Sequence, residues 1–339
     1  PSDTFRNHLI QPTGVGQLHR WGLLGRIAAS NCPPIRTFIS DLGDGPLAEP
    51  MSAQEGPGMA YAPRRFILDA ILVEAAVAAG AELRERFTVQ GLLWDDGRVV
   101  GIQGRGGDGR VVAARARIVI GADGAHSLVA RAVRAPKYHE HPALTYGYYT
   151  YFGDLPVGGL EVWTLAASAF IAFPTNDGLT CVALQAPIAG FRAFRADIAG
   201  NFARMVGQVP ALAARVRASK QAERWYGTAD LPNFFRTPGG PGWALVGDAG
   251  FHKDPILAQG ISDAFRDATL LAEAIDAGLS GGIPLDDALL AYERQRNSAA
   301  LPGYAIACAA AAFEPLPPEV LAARAALRAA AAAGQRGGG

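Results

Sequence analysis

The segment WALVGDAGFHKDPILAQGISDAFRDATLLAEAI, residues 243–275, reads as a strand, a loop and a helix with a carboxylate at the first junction. Trp243, Leu245 and Val246 supply the apolar side chains of a short strand, and Gly247-Asp248 ends it. An acid there can accept hydrogen bonds from the hydroxyls of a sugar or ribityl chain. Pro255 stiffens the loop that follows, because its ring fixes φ. Gly260 lets a ligand come close to the backbone where a helix starts. The apolar stripe of that helix runs through Ile261, Ala264, Phe265, Ala268 and Leu271. Free N–H groups at residues 260–262 and a helix-end charge of roughly +0.5 favour an anion at this point. Gly-Asp after a strand is also common in ordinary turns, so the rest of the chain has to discriminate.

Upstream, PRRFILDAILVEAAVAA (63–79) places Leu68, Ile71, Leu72, Ala75, Ala76 and Ala79 on one helical face, with Pro63 in the first turn and Gly80 as the stop. Two turns, Asp95-Asp96-Gly97 and Gly106-Gly107-Asp108-Gly109, separate the β-rich pieces Leu92–Trp94, Val99–Gln103 and Val111–Ala114, which predicts a three-stranded antiparallel meander. Ile118-Val119-Ile120 then has the unbroken apolar character of a strand buried in a parallel sheet. It runs into Gly121-Ala122-Asp123-Gly124, a second strand that ends on an acid and a glycine. Two such strand ends with a meander between them suit a sheet whose C-terminal edge binds an extended, phosphate-bearing cofactor.

GADGAHSLVAR (121–131) and GDAGFHKDPILAQGI (247–261) resemble the Asp-Gly and Gly-Asp motifs of single-component FAD-dependent aromatic hydroxylases of the para-hydroxybenzoate hydroxylase fold. Order and spacing match as well. Arg65-x-x-Leu68-x-x-x-Leu72 is similar to the family's arginine at a helix start that reaches FAD, with Arg64 as the neighbouring candidate. QPTGVGQLHRWGLLGRI (11–27) resembles the helix after the family's second Rossmann strand. The resemblance covers about residues 1–300 and implies an α/β fold: a Rossmann-like, three-layer FAD-binding domain with a β-meander, plus an antiparallel-sheet substrate domain. It implies FAD contacts from Arg65, Asp123, Gly124, Gly247, Asp248, Pro255, Gly260, Ile261 and Ser262. The amides of Ile261 and Ser262 would face the pyrimidine end, where reduced flavin carries charge at N1 and O2. Pro255 would border the reacting edge.

One departure concerns the phosphates. The family opens on a strand, a Gly-x-Gly-x-x-Gly turn and a helix, and Gly14-Val15-Gly16 does not continue that pattern and follows Pro12 and Thr13 rather than a strand. The chain is therefore expected to lack an N-terminal βαβ unit of roughly 30–40 residues.

The activity implied is that of an FAD-dependent monooxygenase, with NAD(P)H as reductant and O2 as oxidant. It would transfer oxygen through a C4a-hydroperoxyflavin to an apolar, aromatic or polyketide-like small molecule. A flavin-dependent halogenase, a C=C reductase of the same fold, and a non-catalytic remnant that binds no FAD stay open, although no Trp-x-Trp-x-Ile-Pro string is present.

Composition restricts the partners. The 339 residues are 50% hydrophobic, enough for a large core and about two domains. Lys plus Arg and Asp plus Glu both number 31, with no basic stripe, so neither nucleic acid nor an anionic membrane is an expected partner. Cys32, Cys181 and Cys308 are too few and too scattered for a disulfide framework or zinc site, and no metal is expected. With no signal peptide and no apolar run near the ~18 residues of a membrane span, a cytoplasmic location is expected.

The middle of the chain has a different pattern. Val162–Leu165, Ala169–Phe173 and Leu179–Gln185 read as antiparallel strands, and Arg192–Ala218 as helical. Residues 37–60 and 137–221 are assigned to a substrate domain. Residues 1–36, 61–136 and 222–280 go to an incomplete FAD-binding domain, and 281–339 to a C-terminal helical segment and tail. Tyr146, Tyr148, Tyr149, Tyr151, Phe152, Trp163, Phe170 and Phe173 are candidates either for core packing or for an apolar pocket over the flavin, and strand alternation lets only half face one way. His252 is a candidate for proton transfer or an ordinary loop residue.

Overall fold

The computed structural model describes residues 8–51 and 57–336. The expected helix near residues 11–27 forms as two, α1 (Pro12–Arg20) and α2 (Leu24–Ala29), interrupted at Gly22 with φ 71°. Strands β1 (Thr37–Asp41) and β2 (Leu47–Pro50) form a hairpin. Helix α3 runs Arg65–Ala78, so Pro63 precedes the N-cap residue Arg64 and does not lie in the first turn. The cause is upstream: Ala60 and Tyr61 bridge to Ile35 and Ile10 in extended conformation, and the Arg64 amide donates to Asn176 Oδ1 at 2.9 Å.

Strands β3 (Thr88–Asp95), β4 (Arg98–Arg105) and β5 (Val111–Arg115) make the expected meander. Positive φ at both Asp96 and Gly97 gives the tight β3–β4 turn the right-handed twist that a hairpin needs. The chain continues through β6 (Val119–Gly121), α4 (Leu128–Ala132) and β7 (Lys137–His141) into β8 (Thr145–Gly153), β9 (Leu160–Leu165), β10 (Ser168–Pro174) and β11 (Leu179–Pro187). The single helical region expected at 192–218 is three helices, α5 (Phe191–Ala196), α6 (Ile198–Val206) and α7 (Pro210–Ala218). Asp197 starts a new helix by accepting from the Gly200 amide, and Pro210 starts the next at its first turn. The short strands β12 (Lys220–Gln221), β13 (Tyr226–Thr228), β14 (Asn233–Arg236), β15 (Gly239–Gly240), β16 (Trp243–Leu245) and β17 (Phe251–His252) lead to three helices. These are α8 (Gly260–Leu279), α9 (Leu285–Ala311) and α10 (Pro318–Arg336).

Two sheets organise the molecule. An eight-stranded sheet has the order β12-β8-β11-β10-β9-β1-β2, with β13 also on β8. Alternation divides its aromatics. Tyr146, Tyr148, Phe152, Trp163 and Phe170 pack with Phe194, Phe202 and Leu212 of α5–α7, whereas Tyr149, Tyr151 and Phe173 pack with Leu9, Ile35 and Ala60 on the other face. Elsewhere β16 lies between β15 and β6 and pairs with β6 in parallel. Val119, Trp243 and Leu245 pack on Leu92 and Val99 of the meander, and Ala244 packs on Leu271 of α8 with Leu289 and Tyr292 of α9. Meander, parallel strands and helices are the three layers of an α/β fold.

Candidate functional site

Pairing of Leu245 with Gly121 brings both acid-bearing strand ends to the same edge of the small sheet. Gly247 (φ 58°) and Gly124 (φ 80°) turn the chain there through backbone space that a side chain disfavours. Asp123 is exposed, and its carboxylate accepts from the amides of Leu128 (2.6 Å) and Val129 (3.4 Å) at the start of α4. Ser127 accepts from the Ala130 amide at 2.9 Å. Asp123 thus shapes the turn that contains Gly124. Asp248 lies half-buried in the single 3-10 turn Gly247–Ala249 after β16.

Two buried arginines that the sequence reading did not single out hold these turns. Arg236 of β14 donates to the carbonyls of Ala249 (2.7 Å) and Ala125 (3.0 Å), joining the turn after β16 to the turn after β6. Burial lowers its pKa, since charge is disfavoured away from water. Arg296 of α9 is 1% exposed and donates to the carbonyls of Gly250 (3.1 Å) and Arg236 (3.0 Å), while the Tyr292 hydroxyl donates to the Leu245 carbonyl at 3.1 Å. No local pattern marks either arginine, because their partners are backbone carbonyls far away in sequence.

The loop from β17 to α8 carries the remaining candidates. His252 Nδ1 donates to the Pro232 carbonyl, and its ring stacks on Phe234, so the side chain is anchored to β14 and the segment before it. Lys253 Nζ lies 2.6 Å from Gln259 Oε1 and 2.9 Å from the Asp263 carboxylate. Asp254, also not singled out from sequence, is fully buried. Its carboxylate accepts from Thr145 Oγ1 (2.7 Å), the Ile256 amide (3.1 Å) and Gln185 Nε2. Burial raises its pKa and these hydrogen bonds oppose the shift. Pro255 is exposed and opens the 3-10 turn Pro255–Leu257, and Ala258 packs on the Tyr149, Tyr151 and Phe173 face of the large sheet.

The start of α8 suits a ligand. No side chain caps it, and a Cβ on the exposed Gly260 would meet no heavy atom within 4 Å. Gly260 therefore borders open space at the positive end of a 20-residue helix, where the amides of residues 260–262 have no intrahelical partner. The Ser262 side chain is directed elsewhere: its Oγ is buried without a hydrogen-bond partner among the described residues, and a Cβ on Gly14 of α1 would lie 2.5 Å from it. Ser262 offers this edge its backbone amide, not its hydroxyl. Arg65 is half-buried and pairs with Asp69 at 2.9 Å. Arg64 is committed to the large sheet, with its guanidinium 4.1 Å over the Tyr151 ring and 2.7 Å from Glu223.

A meander and a helix pair sandwiching parallel strands, with acids at the strand ends and an open helix N-terminus beside them, define an FAD-binding fold. The chain belongs to the family described as FAD binding domain, which matches residues 1–184. Among curated relatives, digeranylgeranylglycerophospholipid reductase 2 of Methanopyrus kandleri is 30% identical over 213 residues, covering 61% of this chain and 53% of the relative. Digeranylgeranylglycerophospholipid reductase of Methanosarcina acetivorans is 27% identical over 276 residues, covering 74% and 60%. The chain thus spans little more than half the length of these relatives. Among solved structures, the myxobacterial chondrochloren halogenase CndH superposes with TM-score 0.83 at 21% identity, covering 98% of this chain and 82% of that one. PqsL of Pseudomonas aeruginosa, described as a probable FAD-dependent monooxygenase, superposes with TM-score 0.77 at 20% identity, covering 91% and 86%. Among the described residues no helix is long and apolar enough to cross a membrane.

Proposed function

We propose that the protein of which this chain is part or whole is an FAD-dependent monooxygenase that takes electrons from NAD(P)H and one oxygen atom from O2, and oxidises an apolar small molecule. The observation that carries the reading is the uncapped N-terminus of α8, open at Gly260, beside the two acid-bearing strand ends. FAD, when bound, supplies the redox chemistry. The chain's residues then have separate tasks. Asp248 accepts hydrogen bonds from the sugar or ribityl hydroxyls, and Asp123 holds the adjoining turn. The amides of Gly260, Ile261 and Ser262 favour negative charge at the pyrimidine end. Arg65 at the start of α3 is the candidate cation. Pro255 borders the reacting edge, and Ala258 of the same loop packs on the buried Tyr149, Tyr151 and Phe173 face of the large sheet, which holds the loop in place.

Reduction of a carbon–carbon double bond is the second reading, favoured by the reductases among the curated relatives. Turnover under 18-oxygen gas separates the two. A monooxygenase product gains one labelled atom, whereas a saturated product formed anaerobically without label overturns the monooxygenase reading and leaves the FAD site standing.

A further inference from the structure

Asp254 ties the loop between β17 and α8 to the substrate sheet and not to the layer that holds the strand ends. Thr145, which donates to its carboxylate at 2.7 Å, is the first residue of β8, and Gln185 lies on the neighbouring strand β11. Gln185 Nε2 also donates to Thr145 Oγ1 at 2.7 Å, so the three side chains close a ring of hydrogen bonds. The other side of the same residue is fixed too. The Asp254 amide donates to Asn233 Oδ1 at 2.6 Å, and Asn233 Nδ2 donates to the Pro142 carbonyl at 3.1 Å, three residues before β8. Apart from the exposed Pro142, these residues are buried or half-buried, in surroundings where an unmade hydrogen bond is costly. The next residue is Pro255, and Ala258, four residues on, touches the Tyr149 and Tyr151 face.

We propose that Asp254 is a positioning residue that sets where the loop Pro255–Gln259 and the open end of α8 sit relative to the substrate sheet, and so fixes the distance between flavin and substrate. The inference rests on the FAD site proposed above. It concerns hydrogen-bond shape rather than charge. An asparagine at 254 can keep its oxygen on the Ile256 amide and Gln185 and donate its amide to Thr145 Oγ1, which has a second lone pair to accept with, so that only the acceptor of the Thr145 O–H is lost. Alanine keeps none of these.

Three variants test this in the intact protein: Asp254→Ala, Asp254→Asn and Thr145→Val. Hydrogen exchange of amides 256–260, FAD affinity by flavin fluorescence and the flavin absorption band are followed for each. Asp254→Ala is expected to speed exchange of those amides about tenfold, weaken FAD binding about tenfold and shift the band, while Asp254→Asn stays within about twofold of the parent. Thr145→Val removes one contact and falls between them, which keeps the test open if the alanine variant does not fold. Asp254→Ala or Thr145→Val with a lower melting temperature but parental exchange at 256–260 and parental FAD affinity overturns the proposal. So does an asparagine variant as impaired as alanine. A parent protein that binds no FAD instead overturns the proposed function, and the exchange measurement still decides whether Asp254 holds the loop.

Discussion

The eight-stranded sheet is covered on both faces, whereas the small β15-β16-β6 sheet leaves its β6 edge unpaired among the described residues. In the large sheet Phe170 and Phe173 are both 0% exposed although they point to opposite faces, because helices α5–α7 cover one side and the segments around Leu9, Ile35 and Ala60 cover the other. In the small sheet β6 is an edge strand among the described residues, and Ile120 is 45% exposed. Its turns are held by Arg236 and Arg296 through backbone carbonyls, and the helix beside it starts without a cap. Burial is thus deeper at the centre of the large sheet, and the small one carries the strand-end turns proposed to meet the cofactor. A region that binds must leave groups for its ligand to satisfy.

Matched deletions of apolar side chains break this contrast if it is false. Phe170→Ala is expected to cost about 3–5 kcal/mol in urea unfolding, since a closed site cannot collapse around the cavity. Ile120→Ala is expected to cost under about 1 kcal/mol, because little of its surface leaves water on folding. Equal costs would mean that the two sheets do not differ as described.

A second comparison uses pH. Asp267, on the buried side of α8, is 1% exposed, with one carboxylate oxygen on Arg266 at 2.7 Å and the other without a hydrogen-bond partner among the described residues. Burial pushes its pKa up to about 6. The folded state therefore holds this proton more tightly than an unfolded chain with a carboxyl near ~3.9. Stability should fall as pH rises from about 4 through about 6, and the loss persists above. Asp267→Asn is expected to leave stability unchanged near pH 4 and to raise it at pH 8 by up to about 3 kcal/mol. A variant less stable than the parent at pH 8 would show the carboxylate to be a net support of the α8–α9 packing.

The same contrast explains what the sequence disclosed. Both strand-end motifs, the meander and the start of α8 were legible because each is a local pattern: apolar runs, a turn with Gly at positive φ, an acid at a strand end. The division of the aromatics also followed from a period of two, although which alternate residues face the loop could not be read before the partner segments were placed. Arg236, Arg296 and Asp254 were not legible. Each acts across more than 10 residues of chain on backbone carbonyls or on strands of another sheet, and no spacing rule connects Asp254 to Thr145 or Gln185. The break of the 192–218 helix was visible only as Asp197 and Pro210, two residues that initiate helices as readily as they decorate one.

At the cofactor edge itself, Asp248→Ala is expected to weaken FAD binding by about 1.5–3 kcal/mol, the usual contribution of a hydrogen bond to a charged group. Thermal stability should change far less than affinity. Flavin retained in stoichiometric amount through gel filtration would remove Asp248 from the site, and with it the role given to the strand end after β16.

Gly260 gives the smallest stability effect and the sharpest division between folding and binding. It has no positive φ, and a Cβ there would meet nothing within 4 Å, so neither backbone strain nor packing calls for glycine. Alanine in a helix is favoured over glycine by up to about 1 kcal/mol, and less in the first turn. Gly260→Ala should therefore leave the melting temperature unchanged or slightly raised. The added methyl group would project into the space next to the amides of residues 260–262, where the proposed ligand approaches the backbone. FAD affinity should drop about tenfold, equivalent to about 1.4 kcal/mol. Lower stability with unchanged affinity would mean that glycine serves the fold, and the open end of α8 would lose its standing as the pyrimidine site.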